Sequence, residues 1–175
     1  MSEWMRAFQV NVFGTLLCCR AVLPVMVQRD RGKIINVTSA TLARGSRSHR
    51  YRYLAAYFSS KVAVTQLTES LSYQLAGKNI QVNAMHPLGN TRGLEETYNR
   101  LNALGEWSES YQEATGRRPD LIQRSGELAV FLASDVSEGL SGRVIRVTDE
   151  FADLPPRIPE IMASDAYTLR RVDLD

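Results

Sequence analysis

Apolar residues recur along the first thirty positions at helical spacing. Met5, Phe8, Val12, Leu16, Cys19 and Leu23 fall at steps of three and four, drawing one apolar stripe down a helix over residues 3–29. Ser2 offers a cap at its start, Gly32 follows its end, and Pro24 is expected to bend or loosen its last part. Lys33-Ile34-Ile35-Asn36-Val37-Thr38-Ser39 reads as a buried strand. Residues 55–77 read as a long helix stopped at Gly77, and Ile80–Met85 as a second strand stopped before Pro87. Residues 88–123 are polar and irregular, with short helices. Residues 126–134 read as a short helix, and Gly142 precedes a third strand over 143–148. Pro155, Pro156 and Pro159 make the tail from Glu150 extended at first, with a last helical turn near Ile161–Arg170.

Strands alternating with helices imply parallel crossovers and a layered α/β domain. A doubly wound sheet has about six strands. The three predicted here correspond to the last part of such a sheet and leave the first strand with an open edge. The expected organisation is a single partial domain over 1–175, with a substrate-loop region at 88–123 and a C-terminal extension at 150–175.

Composition narrows the function classes. With 175 residues, 44% hydrophobic and 23% charged, the chain has the size and apolar content of one globular domain. Its 21 basic and 19 acidic residues leave a net charge of +2, which gives no basis for a nucleic-acid partner or a membrane surface. The longest uninterrupted apolar run is Ala21–Val27, against the roughly 20 residues that a spanning helix needs, so no transmembrane segment is expected. The opening residues lack the basic-then-apolar order of a signal peptide. Cys18 and Cys19 are adjacent and point apart on a helix, which excludes a disulfide framework. A cytoplasmic location is expected. His49 and His86 are isolated, so no metal site is expected.

Four residues carry candidate chemistry. Tyr57 and Lys61 are four apart on the second helix and share one face. A phenol of ordinary pKa near 10 passes protons poorly near neutrality, and a neighbouring ammonium favours its ionised form. Spacing alone equally describes a surface pair on a helix. Ser39 ends the preceding strand, and ligands of parallel sheets sit outside the carboxyl ends of strands. A turn serine bonded to local backbone has the same signature. Asn11 lies inside the first helix, where asparagine competes for backbone groups, so it either faces solvent or holds a kink or a water.

In this order and on these elements, Asn11, Ser39, Tyr57 and Lys61 resemble the catalytic tetrad of the short-chain dehydrogenase/reductase family. Five stretches agree with that resemblance. Asn11-Val12-Phe13-Gly14-Thr15 resembles the family's N-x-x-G-T helix segment, and Gly32 to Ser39 resembles its G-x-I-[IV]-N-[IV]-[ST]-S strand. Tyr57-Phe58-Ser59-Ser60-Lys61 resembles its Y-x-[AS]-S-K helix, and Val82 to Pro87 its V-N-A-[IV]-x-P strand. Phe131 to Asp135 with Leu140-Ser141-Gly142 resembles its F-L-[AC]-S-[DE] and [TS]-G stretch. The resemblance implies a Rossmann-like sheet and an NAD- or NADP-dependent oxidoreductase acting on a small carbonyl or alcohol. It implies Tyr57 as general acid/base, Lys61 as the group that lowers the tyrosine's pKa and binds the nicotinamide ribose, and Ser39 as the group that positions the substrate oxygen. Asn11 would support a water linking Lys61 to solvent. Pro87 and Thr91 would also contact the cofactor, and helices 3–29 and 55–77 would pack against their copies in a homo-oligomer.

The chain also departs from the family pattern. No G-x-G turn occurs anywhere in it, so the glycine-rich cradle for a dinucleotide pyrophosphate is absent from this sequence. Ser39 and Tyr57 are 18 apart, and the intervening Arg44, Arg47, His49, Arg50 and Arg52 form either a solvated loop or a site for an anionic substrate. Leu88 stands where the family has glycine, and Thr148-Asp149-Glu150-Phe151 replaces its Asp-Gly-Gly. The alternative expectation is a non-catalytic member that serves as an oligomerisation or scaffold module.

Overall fold

The computed structural model describes residues 1–39, 54–87, 92–103, 105 and 120–169. The order of elements is helix α1 (Ser2–Arg29), strand β1 (Gly32–Val37), helix α2 (Ala55–Gln74), strand β2 (Ile80–His86), helices α3 (Arg92–Ala103) and α4 (Asp120–Ala133), strand β3 (Val144–Arg146) and helix α5 (Ile158–Met162). The strands form one parallel sheet in the order β1-β2-β3, with Gly32 beside Ile80 and Ala84 beside Val144. This is the α/β layering that the alternating pattern predicts.

The central strand β2 is buried along its whole length. Its two faces feed two cores. Ile34, Ile80 and Val82 pack with Cys19 of α1 and Leu75 on one side, while Met85 and Ile145 pack with Leu121, Leu128, Phe131 and Leu132 of α4 on the other. The polar positions of β2 are occupied rather than orphaned. Asn83 donates from Nδ2 to the Leu140 carbonyl at 2.7 Å and accepts the Arg143 N–H at Oδ1 at 3.1 Å. Asparagine at this place therefore fixes the loop that turns back into β3, by satisfying backbone groups that would otherwise be buried unpaired. Gly142, in the same loop, has φ of +72°, and a Cβ there would lie 2.5 Å from Ser72 Oγ.

Several boundaries differ from the expectation. Ser2 lies within α1 and makes no side-chain cap. The helix ends on Asp30, which takes the left-handed conformation at φ +44° and accepts the Asn79 N–H on Oδ1 at 3.0 Å. An aspartate that tolerates this conformation removes the need for glycine at the stop. The helix predicted at 126–134 begins instead at Asp120, inside the expected loop region, because Gly126 is accommodated mid-helix. The third strand is short: Asp149 accepts the Arg146 N–H on Oδ2 at 2.8 Å, and its own N–H bonds the Arg146 carbonyl, which folds the chain over. The tail is not extended. Pro155 and Pro159, at or next to helical first positions, initiate a 3₁₀ turn and α5.

The expectation of no membrane-length helix is also corrected. α1 contains a window of 18 residues with mean hydropathy 1.8, of which 6% is buried, and is long and apolar enough to cross a membrane by length and composition. Counting uninterrupted apolar runs missed it because uncharged Gln9, Asn11 and Thr15 break the run, while Arg20 is the only charge between Ala7 and Gln28. Among the described residues, β1 pairs on one edge only.

Candidate active site at the carboxyl end of the sheet

Asn11 does not sit in a regular helix. Gln9–Phe13 is a π-helical turn inside α1, closed by the Gly14 N–H on the Gln9 carbonyl five residues back. A single wide turn of this kind absorbs an extra residue and reorients its side chains. Asn11 Nδ2 donates to Ser60 Oγ of α2 at 2.9 Å, and the Asn11 carbonyl accepts Thr15 Oγ1 at 2.7 Å. Ser60 Oγ in turn donates to the Tyr57 carbonyl at 2.6 Å. The asparagine thus reaches the first turn of α2, the turn that presents Tyr57.

The face of α2 turned inward is made of small residues: Ala56, Ser60, Val64, Thr65 and Thr68 are all buried. They allow close approach to the sheet and α1. A column of side-chain bonds fixes that approach. Thr38 Oγ1 lies 3.1 Å from the Lys61 carbonyl and 2.8 Å from Thr65 Oγ1. Asn36 Nδ2 donates to Thr68 Oγ1 at 2.9 Å, and Cys19 contacts Asn36 Oδ1 at 3.7 Å. Strand β1 and helix α2 are locked in register beside Ser39.

Lys61 extends along this junction. Its Nζ donates to the Val37 carbonyl at 3.0 Å, two residues before Ser39, and lies 5.8 Å from the centroid of the Tyr57 ring. Burial pushes the Lys61 ammonium below its usual range. The Tyr57 ring is 38% exposed, so a small molecule has access to it. Three of the four predicted tetrad residues are therefore connected around one junction. Asn11 acts on the α2 first turn, Tyr57 sits on that turn and Lys61 lies beside its ring. Ser39 follows the end of β1, to which Lys61 is bonded.

Pro87 follows β2 at the same end of the sheet and is half-buried. Thr91 and the arginine-rich stretch (Arg44, Arg47, His49, Arg50 and Arg52) lie outside the described residues. Ser60, Thr38 and Thr65 are participants that the tetrad pattern did not single out. The available signal for Ser60 was its place on the 56-60-64-68 inward face of α2. His86, at the last position of β2, is buried, with Nδ1 unpartnered among the described residues. Burial, and then the charge of Arg146, holds its imidazole down at about 4.

A dinucleotide would meet only part of its needs here. The described residues at this end offer the Lys61 ammonium, the Tyr57 hydroxyl and a half-buried strand end, which suit a nicotinamide ribose. No G-x-G turn exists in the chain for a pyrophosphate.

Comparison with known proteins agrees with this geometry. The short chain dehydrogenase family profile matches residues 1–99. A 3-alpha-(or 20-beta)-hydroxysteroid dehydrogenase of Mycobacterium bovis is 33% identical over 144 residues, covering 81% of this chain and 49% of that protein. The crystal structure of an NAD+-bound xylitol dehydrogenase matches with a TM-score of 0.67 at 27% identity, over 82% of this chain and 58% of that one. A gluconate 5-dehydrogenase from Burkholderia cenocepacia J2315, in complex with NADP and tartrate, matches with a TM-score of 0.63 at 26% identity, over 83% of this chain and 54% of that one. The chain spans about half the length of the curated relatives it matches. Family profile, relatives and fold together place it: the chain belongs to the short-chain dehydrogenase/reductase family of oxidoreductases.

Proposed function

We propose that this chain carries the catalytic side of an NAD- or NADP-dependent oxidoreductase that interconverts a small carbonyl compound and its alcohol. The observation that carries the reading is the bonded junction of Asn11, Ser60, Tyr57, Lys61 and Val37. The nicotinamide cofactor supplies the hydride. The protein residues orient the substrate and move the proton. Tyr57 gives its hydroxyl proton to the substrate oxygen in reduction and takes it back in oxidation. The Lys61 ammonium beside the ring stabilises negative charge as it develops on the phenolic oxygen, and its remaining N–H groups are suited to ribose hydroxyls. Ser39 positions the substrate oxygen by hydrogen bond. Asn11, bonded through Ser60, holds the turn that aims Tyr57, and its segment supports a water leading from Lys61 to solvent. Pro87 and Thr91 border the nicotinamide.

The segment 88–123 carries substrate selectivity, and residues 150–175 form an extension that closes the same end of the domain. Because the chain has no glycine-rich turn, the pyrophosphate cradle comes from polypeptide outside this sequence. The two free cysteines are adjacent on α1, one exposed and one buried, in keeping with a cytoplasmic setting.

The test is turnover in the protein that contains both the junction and a cradle. Replacing Tyr57→Phe abolishes carbonyl reduction while leaving cofactor affinity within about twofold. Retained turnover in that variant overturns the assignment.

A second reading has its own observation. α1 exposes Val10 (67%), Phe13 (54%) and Leu17 (62%). An apolar face of this extent is a docking surface, and a second copy of α1 and α2 is the occupant that matches the family's symmetric packing. On this reading the chain is an oligomerisation module whose tetrad is unused. Self-association with no turnover after supply of the cradle favours it over the catalytic reading.

A further inference from the structure

At the amino end of the sheet, opposite Tyr57 and Lys61, lies a cleft of about 640 Å³. It is bounded by the last turn of α2, the start of β2, the loop into β3 and the turn after α5. Arg143 lines it and is 6% exposed. Its Nη2 donates to the carbonyls of Ile161 at 3.0 Å and Ser164 at 2.9 Å, with that of Met162 at 3.5 Å. Its Nε is buried with no partner. Among the described residues, no carboxylate pairs with Arg143 or with Lys78, the second cation on the cleft wall.

A buried guanidinium without a counter-ion is costly unless an anion is recruited. The remaining wall is rich in hydroxyls. Ser72, Ser141 and Ser164 all line the cleft, and Ser141 Oγ accepts the Val82 N–H at 3.0 Å, which leaves its O–H proton available to an acceptor. Asp165 is the one carboxylate on the wall.

We propose that this cleft binds a phosphoryl group, at a site separate from the Tyr57–Lys61 junction. The choice of anion follows from the donors. A carboxylate is matched best by both prongs of a free guanidinium fork, and the Nη2 prong of Arg143 is already committed to carbonyls. What remains is a set of single donors arriving from several directions: the arginine, the Lys78 ammonium and the Ser141 hydroxyl. That set suits an oxyanion with several acceptor oxygens. The group arrives as free inorganic phosphate or on a phosphorylated metabolite.

The experiment titrates the intact chain with inorganic phosphate, a hexose phosphate and acetate at fixed ionic strength, following the thermal midpoint and backbone amide NMR shifts. Expected is a saturable rise in midpoint with both phosphates and none with acetate, with shifts focused on Gly77, Lys78, Ser141 and Ser164. A tighter hexose phosphate identifies the metabolite as the source, and equal affinities identify the free ion. Lys78→Ala, an exposed position, weakens binding at least fivefold without lowering the midpoint in chloride. Arg143→Gln also releases the turn after α5, so its loss of binding is read only with the Lys78 variant. A flat titration, an acetate response equal to that of phosphate, or unchanged affinity in Lys78→Ala overturns the proposal.

Discussion

His86 gives the account a quantitative handle. The residue closes β2, is 8% exposed and stands opposite Arg146 in the β2–β3 register. Burial first, and the Arg146 charge second, lower its pKa from 6.5 to about 4. In the unfolded chain the imidazole takes up a proton near the ordinary value. Between the two values the unfolded state binds one proton more than the folded state, so stability falls as pH falls. The gap is 6.5 − 4 = 2.5 pH units, and at about 1.36 kcal/mol per unit it is worth about 3 kcal/mol. That contribution is fully present above pH 6.5 and is lost by about pH 4. Against a total stability of roughly 5–15 kcal/mol, the loss is large. The assay is urea unfolding at pH 7, 6, 5 and 4 for the unmodified chain and His86→Gln. The difference between the two isolates His86 from carboxylates that titrate in the same range. The unmodified chain loses about 3 kcal/mol more than the variant across this range. Parallel pH profiles refute the reasoning, since they mean that the imidazole is solvated or paired in the fold.

Three further predictions follow from packing. Leu128 is fully buried in the α4 core, so Leu128→Ala costs about 2–5 kcal/mol, measured by the same urea unfolding at pH 7. Gly142→Ala forces an alanine to φ +72° and sets its Cβ 2.5 Å from Ser72 Oγ, costing about 1–3 kcal/mol in that assay. Phe13→Glu on the exposed face of α1 lowers the mass of the chain in solution, read by light scattering after size exclusion, with no loss of helix by circular dichroism.

Much of the fold was legible because it is written in local periodicity. α1, α2, β1 and β2 are long or strongly patterned, and each appears within about three residues of its predicted span. The misses have local causes. Asp30 replaces glycine at a helix stop, Gly126 sits inside α4 where it resembles a start, and the Asp149 turn cuts β3 short. The apolar length of α1 was hidden by scattered uncharged polar residues, which interrupt a run without adding charge. The site was legible in its residue types: Asn11, Ser39, Tyr57 and Lys61 are spaced by the elements that carry them. What no spacing shows is how they are joined. Asn11 and Ser60 are 49 residues apart, and their bond depends on a π turn that the helical period does not encode. The inward charge of Arg143 was likewise invisible, because a lone arginine at a strand start reads as surface.

The central claim is that this chain holds the catalytic junction and the nicotinamide-ribose end of a cofactor site without a pyrophosphate cradle. The most direct test compares the binding of NADH with that of dihydronicotinamide riboside to the 175-residue chain, by intrinsic and cofactor fluorescence, with Lys61→Ala alongside. The account predicts weak binding of both, with affinities within about threefold of each other, and loss of both in Lys61→Ala. NADH binding tens of times tighter than the riboside, or binding indifferent to Lys61, contradicts it.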